Sequence, residues 1–317
     1  MKQSIIRITA VIIFMFLLLT SPVAALEGAS YGLTLWYRTL FPTLMPFMVL
    51  SSFIVYTGCA KPIGTVFLPL TKLLKLPQSA GYCILTGFLC GYPMGAYVCG
   101  QLDETDELDE QTSAFLAPVC NNVSPMFMIS YICISCIGDI KYSLPVMAVL
   151  IGSAFGCMIF FRLPSSIHNK ENMADSTHTG EMTDKNINMP TSQALTHSVE
   201  NALSASLKLC IYVMLFSIAG SIIGQISFIP DTTKAALMSL MEITAGLDKI
   251  SGLDIALKYK ILMMLSFTAF GGMSSVLQTM SLWSGKNFHL KSYILYKLGI
   301  AAFTTLTALL LIVIGIL

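Results

Sequence analysis

Apolar stretches follow one another through this chain with few interruptions: "AVIIFMFLLLTSPVAA", "LMPFMVLSSFIVY", "LPVMAVLIGSAFGCMIFF" and "TALLLIVIGIL". About 20 predominantly apolar residues in helical form match the hydrocarbon thickness of a bilayer. A backbone inside hydrocarbon must satisfy its own hydrogen bonds, which such runs do as helices. Charge is correspondingly scarce: 11% of residues are charged and 55% hydrophobic, where soluble domains average about 25% charged. Mean hydropathy is +0.75. The reading is an all-α polytopic membrane protein with the lipid bilayer as its surroundings. The net charge of +1, without any basic stripe, gives no reason to expect a nucleic-acid partner. Cys83, Cys90, Cys99, Cys120, Cys133, Cys136, Cys157 and Cys210 lie inside apolar segments, where a free thiol packs as a small hydrophobe. The Cys133–Cys136 spacing lacks a second pair and is read as packing, so no metal or cofactor is expected.

The periodicity and charge pattern place spans at 5–25, 38–58, 113–138, 143–161, 207–228, 256–283 and 298–317, with a broken segment at 78–100. Half-spans bring the expected count to seven or eight. Residues 59–79 alternate lysine with apolar side chains and read as interfacial, and 235–247 reads as amphipathic. The N-terminal helix has two readings. Val23 and Ala25 have the look of a signal-peptidase site. Residues after Ala25 lead directly into more membrane sequence, which favours a retained helix. The expected division is an anchor or signal-like helix at 1–26, a first membrane half at 27–162, a polar connecting loop at 163–199 and a second half at 200–317. With Lys2 and Arg7 cytoplasmic, Lys61, Lys72 and Lys75 fall on the same side. The acidic loop "DETDELDE" at 103–110 then falls on the opposite side.

Three places are poorly suited to lipid. "GFLCGYPMGAYVCG" (87–100) puts four glycines and a proline into an apolar segment, each a helix weakener. "LAPVCNNVSPMF" (116–127) brackets Asn121, Asn122 and Ser124 between prolines. "FTAFGGMSSVLQT" (267–279) follows Gly271 and Gly272 with Ser274, Ser275 and Gln278. Irregular backbone at membrane depth is tolerated where protein buries it or where it lines a watery cavity. Discontinuous helices also free amides and carbonyls for a ligand. Glycine and small residues can equally serve close helix packing, and each stretch admits that reading. It suits the asparagine pair least, because unpaired carboxamides in hydrocarbon are costly.

Glu242 stands out among the acids, set in "LMSLMEITAGL" with Thr244 beside it. An ionisable group at depth is a functional candidate; the alternative is an interfacial acid on an amphipathic helix. His168, His178, His197 and His289 are scattered without metal spacing. No catalytic constellation or nucleotide-binding loop is visible, so an enzyme is not expected. "TGFLCG" (86–91) and "TAFGG" (268–272) share a short pattern on either side of the polar loop. That suggests an inverted repeat with broken or re-entrant helices and a site at the repeat interface.

The ordered set "EGASYGLTLWYRTLFPTLMPFMVLSSFIVYTG", "GFLCGYPMGA", "LAPVCNNVSPMFM", "MEITAGL" and "FTAFGGMSSVLQ" resembles the YlbJ-like sporulation integral membrane proteins, in the nucleoside-recognition, or Gate, superfamily. The resemblance covers roughly residues 27–317. It implies an inverted-repeat fold with re-entrant hairpins. Sporulation members are implicated in moving dipicolinate across a forespore membrane, and related Gate proteins transport nucleosides. "CNNVSP" departs from the pattern at Val123 and Ser124, and the insert 163–199 is of no diagnostic type, so both leave the substrate open. The expected function is a transporter or permease for a small polar, anionic or heteroaromatic solute in the cell membrane; the alternatives are a nucleoside transporter and a non-transporting scaffold or assembly factor. A homo-oligomer is compatible with either. The expected solute-binding residues are Gly91, Tyr92, Pro93 and Gly95 at one hairpin tip, and Gly271, Gly272, Ser274 and Ser275 at its counterpart. Asn121, Asn122, Ser124, Glu242, Thr244 and Gln278 complete the set.

Overall fold

The computed structural model describes residues 2–168 and 189–317. The described chain is helical throughout. Helix α1 is Lys2–Thr20. Helix α2, Pro22–Leu35, passes through a π-helical turn, Trp36–Leu40, into α3, Phe41–Tyr56. The sequence suggested a gap between spans here. The structure instead has one 35-residue span from Pro22 to Tyr56. The wider π turn sits just before Pro42, where a regular turn would clash with the proline ring.

Three short helical pieces cover the interfacial stretch: α4 at Ala60–Gly64, a 3-10 turn at Thr65–Phe67 and α5 at Leu68–Leu73. Next come α6, Ala80–Cys90, and α7, Met94–Glu104. At 11 residues each, these helices are about 16 Å long, roughly half the hydrocarbon thickness. They pack against each other as a hairpin. Ser79, just before α6, donates to the Glu107 carbonyl just after α7 at 3.0 Å. Both ends of the hairpin therefore lie together, which corrects the expected topology. The lysine-bearing stretch 59–79 and the acidic loop 103–110 share one end of the molecule, because the segment between them turns back instead of crossing.

Helix α8, Glu110–Cys120, breaks at Asn121–Pro125 and continues as a π-helix, Phe127–Ile137. Helix α9 is Ser143–His168. Residues 169–188 of the expected polar loop lie outside the described residues. Its last part, expected as loop, is already the start of α10, Thr191–Gln225. The reason is a stripe of small residues at three- and four-residue spacing. Ala194, Ser198, Ala202, Ala205 and Ser206 are all buried, with Ala202 and Ala205 packed with Leu44 and Met48 of α3.

The second half continues with α11, Asp231–Met241, and α12, Ile243–Ser251. Glu242 alone separates them, so the stretch 235–247, expected as one amphipathic segment, is the end of α11, a break at Glu242 and the start of α12. Lys249 in the last turn of α12 lies 3.4 Å from Asp231 at the start of α11, so this pair is also a hairpin with both ends together. Helix α13, Leu257–Phe270, breaks at Gly271 and runs on as α14, Gly272–Leu282, within one 26-residue span. Helix α15, Leu290–Val313, follows.

Element types thus occur twice in the same order: a 35-residue helix, a half-length hairpin, a broken helix and a spanning helix. The two hairpins open toward opposite ends of α13–α14. Lys260, in the first turn of α13, donates to Ser251 O at the mouth of the α11–α12 hairpin, 2.8 Å away. Just past α14, the Lys286 amide donates to Asp103 Oδ2 at the mouth of the α6–α7 hairpin. Lys286 Nζ also pairs with Asp106 at 2.7 Å, and His289 lies 2.9 Å from Glu110. By element order, the tip at Gly91 corresponds to Glu242, and the break at Asn121–Pro125 corresponds to Gly271. The expected pairing of "TGFLCG" with "TAFGG" therefore joins a hairpin tip to a helix break. Among the described residues, five helices are long and apolar enough to cross a membrane: Pro22–Tyr56, Ile140–Arg162, Thr191–Gln225, Leu257–Leu282 and Leu290–Val313.

The two 35-residue helices pack along Ala24, Gly28 and Gly32, a small residue every fourth position. Methyl groups on Gly28 and Gly32 would come within 2.6 Å of Ile218 Cα and 2.7 Å of Met214 Cα. Trp36 Nε1 donates to Ser206 O across the same seam at 2.9 Å. Backbone cannot yield as a side chain can, so Gly28→Leu is expected to force the helices apart. Overpacking of this kind costs about 1–3 kcal/mol. In detergent the variant should unfold several degrees below wild type, and an unchanged melting temperature would show that the seam is not tight.

Candidate functional site

The two hairpin tips and the two helix breaks meet. Helix α6 ends at Gly91, whose φ of +84° suits glycine. The peptide bond from Tyr92 to Pro93 is cis. A methyl on Gly91 would reach within 2.7 Å of the Ser124 amide, so the first tip lies directly on the first break. Tyr92 OH donates to Thr268 O at 2.5 Å, linking that tip to the last turns of α13. The second tip is held by Glu242, whose carboxylate accepts from the Thr244 amide at 3.0 Å and the Ala245 amide at 2.8 Å. This caps the N-terminus of α12, where unpaired amides and the helix dipole favour negative charge. Gly272 lies against the Ser239 and Met241 carbonyls, joining the second break to the second tip. Tyr131 of the π-helix donates to Thr244 O at 2.8 Å.

Between these elements is a cavity of about 750 Å³. Its lining includes Gly91, Tyr92, Ser124, Glu242, Thr244, Gly271, Ser274, Ser275 and Gln278, nine of the expected residues. The π turn and start of α3, with Leu209 and Val213 of α10, complete the wall. Phe47 and Met126 at its edge are exposed. On the polar side, Gln278 Nε2 donates to Ser274 Oγ at 2.7 Å, and Ser275 Oγ donates to Gly272 O at 3.1 Å. Glu242 is 5% exposed and, among the described residues, is the single carboxylate in the wall.

Five expected residues lie behind the wall. Asn121 is fully buried; its Nδ2 donates to Thr279 Oγ1 at 2.8 Å and Tyr293 OH at 2.6 Å. Asn122 Nδ2 donates to Val119 O at 2.7 Å, satisfying a carbonyl at the end of α8. The asparagine pair therefore holds the break in shape rather than facing the cavity. Methyls on Gly87 or Gly95 would overlap the Cys120 carbonyl, so Gly95 serves close packing of the hairpin on α8. Pro93 caps α7, and Gly272 packs on the second tip.

The sequence reading missed Lys297. The final span was expected to begin at 298, which left this lysine at a membrane end. Helix α15 begins at Leu290, and Lys297 is fully buried within it. Its Nζ donates to Asn121 O at 2.8 Å and lies 5.3 Å from the centre of the Tyr92 ring. The available signal was the buried stripe Tyr293, Lys297, Ile300, Thr304 and Ala308, spaced by three and four.

The chain is 21% identical to the "Sporulation integral membrane protein YlbJ" of Bacillus subtilis (strain 168). The match spans 92% of this chain and 79% of that protein. With the spanning helices above, this settles the setting. The chain is an integral protein of the cell membrane. No family model and no solved structure matches it.

Proposed function

We propose that the chain is a membrane permease, not an enzyme, for a small polar, anionic heteroaromatic solute such as dipicolinate. The observation that carries the reading is the meeting of two hairpin tips and two helix breaks at one cavity. A volume of about 750 Å³ lies within the range of small-molecule sites, roughly 300–1,000 Å³. The half-helices read as re-entrant hairpins, and the recurring element order reads as an inverted repeat of the kind that builds a solute site at mid-membrane. The likeness to a sporulation membrane protein, together with the motif resemblance to the Gate superfamily, supports a role in spore formation and a place in a forespore membrane.

Solute flux in proteoliposomes, tested with dipicolinate and with nucleosides, decides the reading. Uptake of dipicolinate above that of protein-free vesicles is expected. A Ser274→Ala, Ser275→Ala double variant removes two hydroxyls from the wall while keeping helix α14, and should lower dipicolinate flux several-fold at unchanged protein abundance. Faster uptake of nucleosides than of dipicolinate would replace the anionic substrate with a nucleoside. Flux of neither solute would leave a scaffold role.

A further inference from the structure

The cavity is closed on one side and open on the other. Its lining residues from α10, α12 and α14, among them Leu209, Val213, Thr244 and Gln278, are buried. The exposed lining residues come from the Pro22–Tyr56 span, the end of α6 and the start of the π-helix. They include Thr43 and Phe47 on the first, Leu89 on the second, and Met126 and Ser130 on the third. The opening therefore lies between α3 and the π-helix. These flanks are anchored separately, α3 on α10 and α7, and the π-helix on α9, α12 and α13. Leu89 stands two residues before the Gly91 tip, so the opening lies about half-way through the hydrocarbon. An opening at that depth meets lipid tails, not water. We propose that a phospholipid acyl chain enters the cavity sideways between α3 and the π-helix and lies against its apolar wall. The inference concerns the cavity itself and stands whichever solute the protein carries.

The rim is built for hydrocarbon. Phe47, Leu89 and Met126 are 50%, 61% and 72% exposed. Two rim hydroxyls are turned onto their own helices: Thr43 Oγ1 donates to Thr39 O at 2.6 Å, and Ser135 Oγ donates to Ser130 O at 3.0 Å. The rim is also continuous with the lipid-facing surface, through exposed Leu50 on α3 and Ile134 on the π-helix. Among the described residues no lysine or arginine lines the cavity, so a tail fits there and an anionic headgroup does not. Inside, Leu40, Leu44, Leu209 and Val213 form an apolar wall. Water finds few polar partners along it, whereas a tail gains dispersion contacts along its length. The volume of about 750 Å³ lies toward the upper end of the range for drug-sized ligands, which leaves space beyond a single-ring solute.

The test places wild-type protein in bilayers whose phosphatidylglycerol carries a photoactivatable diazirine in mid-chain, and maps the adducts residue by residue. Helix α10 holds its own reference, because Leu207 and Ile211 are exposed while Leu209 and Val213 are buried in the cavity wall. Label is expected at Leu209 and Val213 as well as at Leu207 and Ile211. Label at Leu207 and Ile211 with none at Leu209 or Val213 overturns the proposal. So does absence of label at Phe47 and Met126, which would mean that a second copy of the chain covers the opening. Thr43→Trp places a bulky ring in the opening and should lower label at Leu209 and Val213 several-fold, with Leu207 and Ile211 unchanged. Ser130→Trp does the same from the opposite rim if the first variant fails to insert. Undiminished label at Leu209 and Val213 in an inserted variant overturns the sideways route. None of these readouts depends on flux, so their failure and that of the transport reading are separate results.

Discussion

Gly271→Ala is expected to abolish solute flux, to below about a tenth of wild type. Two costs coincide at this position. The φ of +89° is one that L residues rarely adopt, and holding a non-glycine residue in a left-handed conformation costs about 1–2 kcal/mol. The added methyl would also lie 2.6 Å from Tyr92 OH and 2.8 Å from Ser275 Oγ. Tyr92 OH cannot retreat without giving up its bond to Thr268 O, a further loss of about 1 kcal/mol. Together these displace the first tip from the second break, which is where the cavity wall closes. Gly138→Ala is the control. Gly138 has a φ of +83° but nothing within 4 Å of an added methyl, so it carries the backbone cost alone. Flux and folded yield of the two variants, measured side by side, separate strain from contact. If Gly138→Ala lowers flux as much as Gly271→Ala does, the approach of Tyr92 to Gly271 has no functional weight.

The breaks themselves were legible because each is a local property. Gly91–Pro93, Asn121–Pro125 and Gly271–Gly272 defeat a helix whatever surrounds them. What each break faces was not legible, since that depends on residues far away in the chain. Asn121 meets Thr279 and Tyr293, and its carbonyl meets Lys297. Nothing within the "NN" stretch encodes those partners, so two carboxamides at depth looked like solute ligands. Lys297 was hidden for a related reason. A lysine near the start of an apolar run reads as a membrane anchor, and burial becomes apparent only with the stripe from Tyr293 to Ala308 in register. The hairpin at α6–α7 was masked by total length. Residues 78–100 are long enough for one crossing, and the packing of α6 on α7 together with the contact between Ser79 and Glu107 shows that the chain returns.

Glu242 gives the second large effect, and its two substitutions should part company. Glu242→Ala leaves the Thr244 and Ala245 amides at a buried helix start without their acceptors. Loss of a cap costs about 0.5–2 kcal/mol, and burial places this one near the upper end. The α11–α12 hairpin should loosen, with a lower melting temperature in detergent and reduced flux of every solute tried. Glu242→Gln keeps one side-chain oxygen as acceptor and the outline of the side chain but turns its NH2 toward the other backbone amide, so it should lower the melting temperature less than Glu242→Ala does. What it removes is the negative charge in the cavity wall. For an anionic solute that charge is repulsive, so Glu242→Gln should bind dipicolinate more tightly, several-fold by isothermal titration. If the carboxylate instead carries a coupling proton, binding should hold while the dependence of flux on a pH gradient flattens. Weaker dipicolinate binding by a well-folded Glu242→Gln protein would mean that the carboxylate contacts the solute directly, contrary to its placement on the α12 amides. The same amides explain why tighter binding is the favoured outcome. They form an anion site at a half-helix N-terminus now filled by the protein's own carboxylate, and a glutamine amide holds that site less firmly against an incoming carboxylate than a charged side chain does.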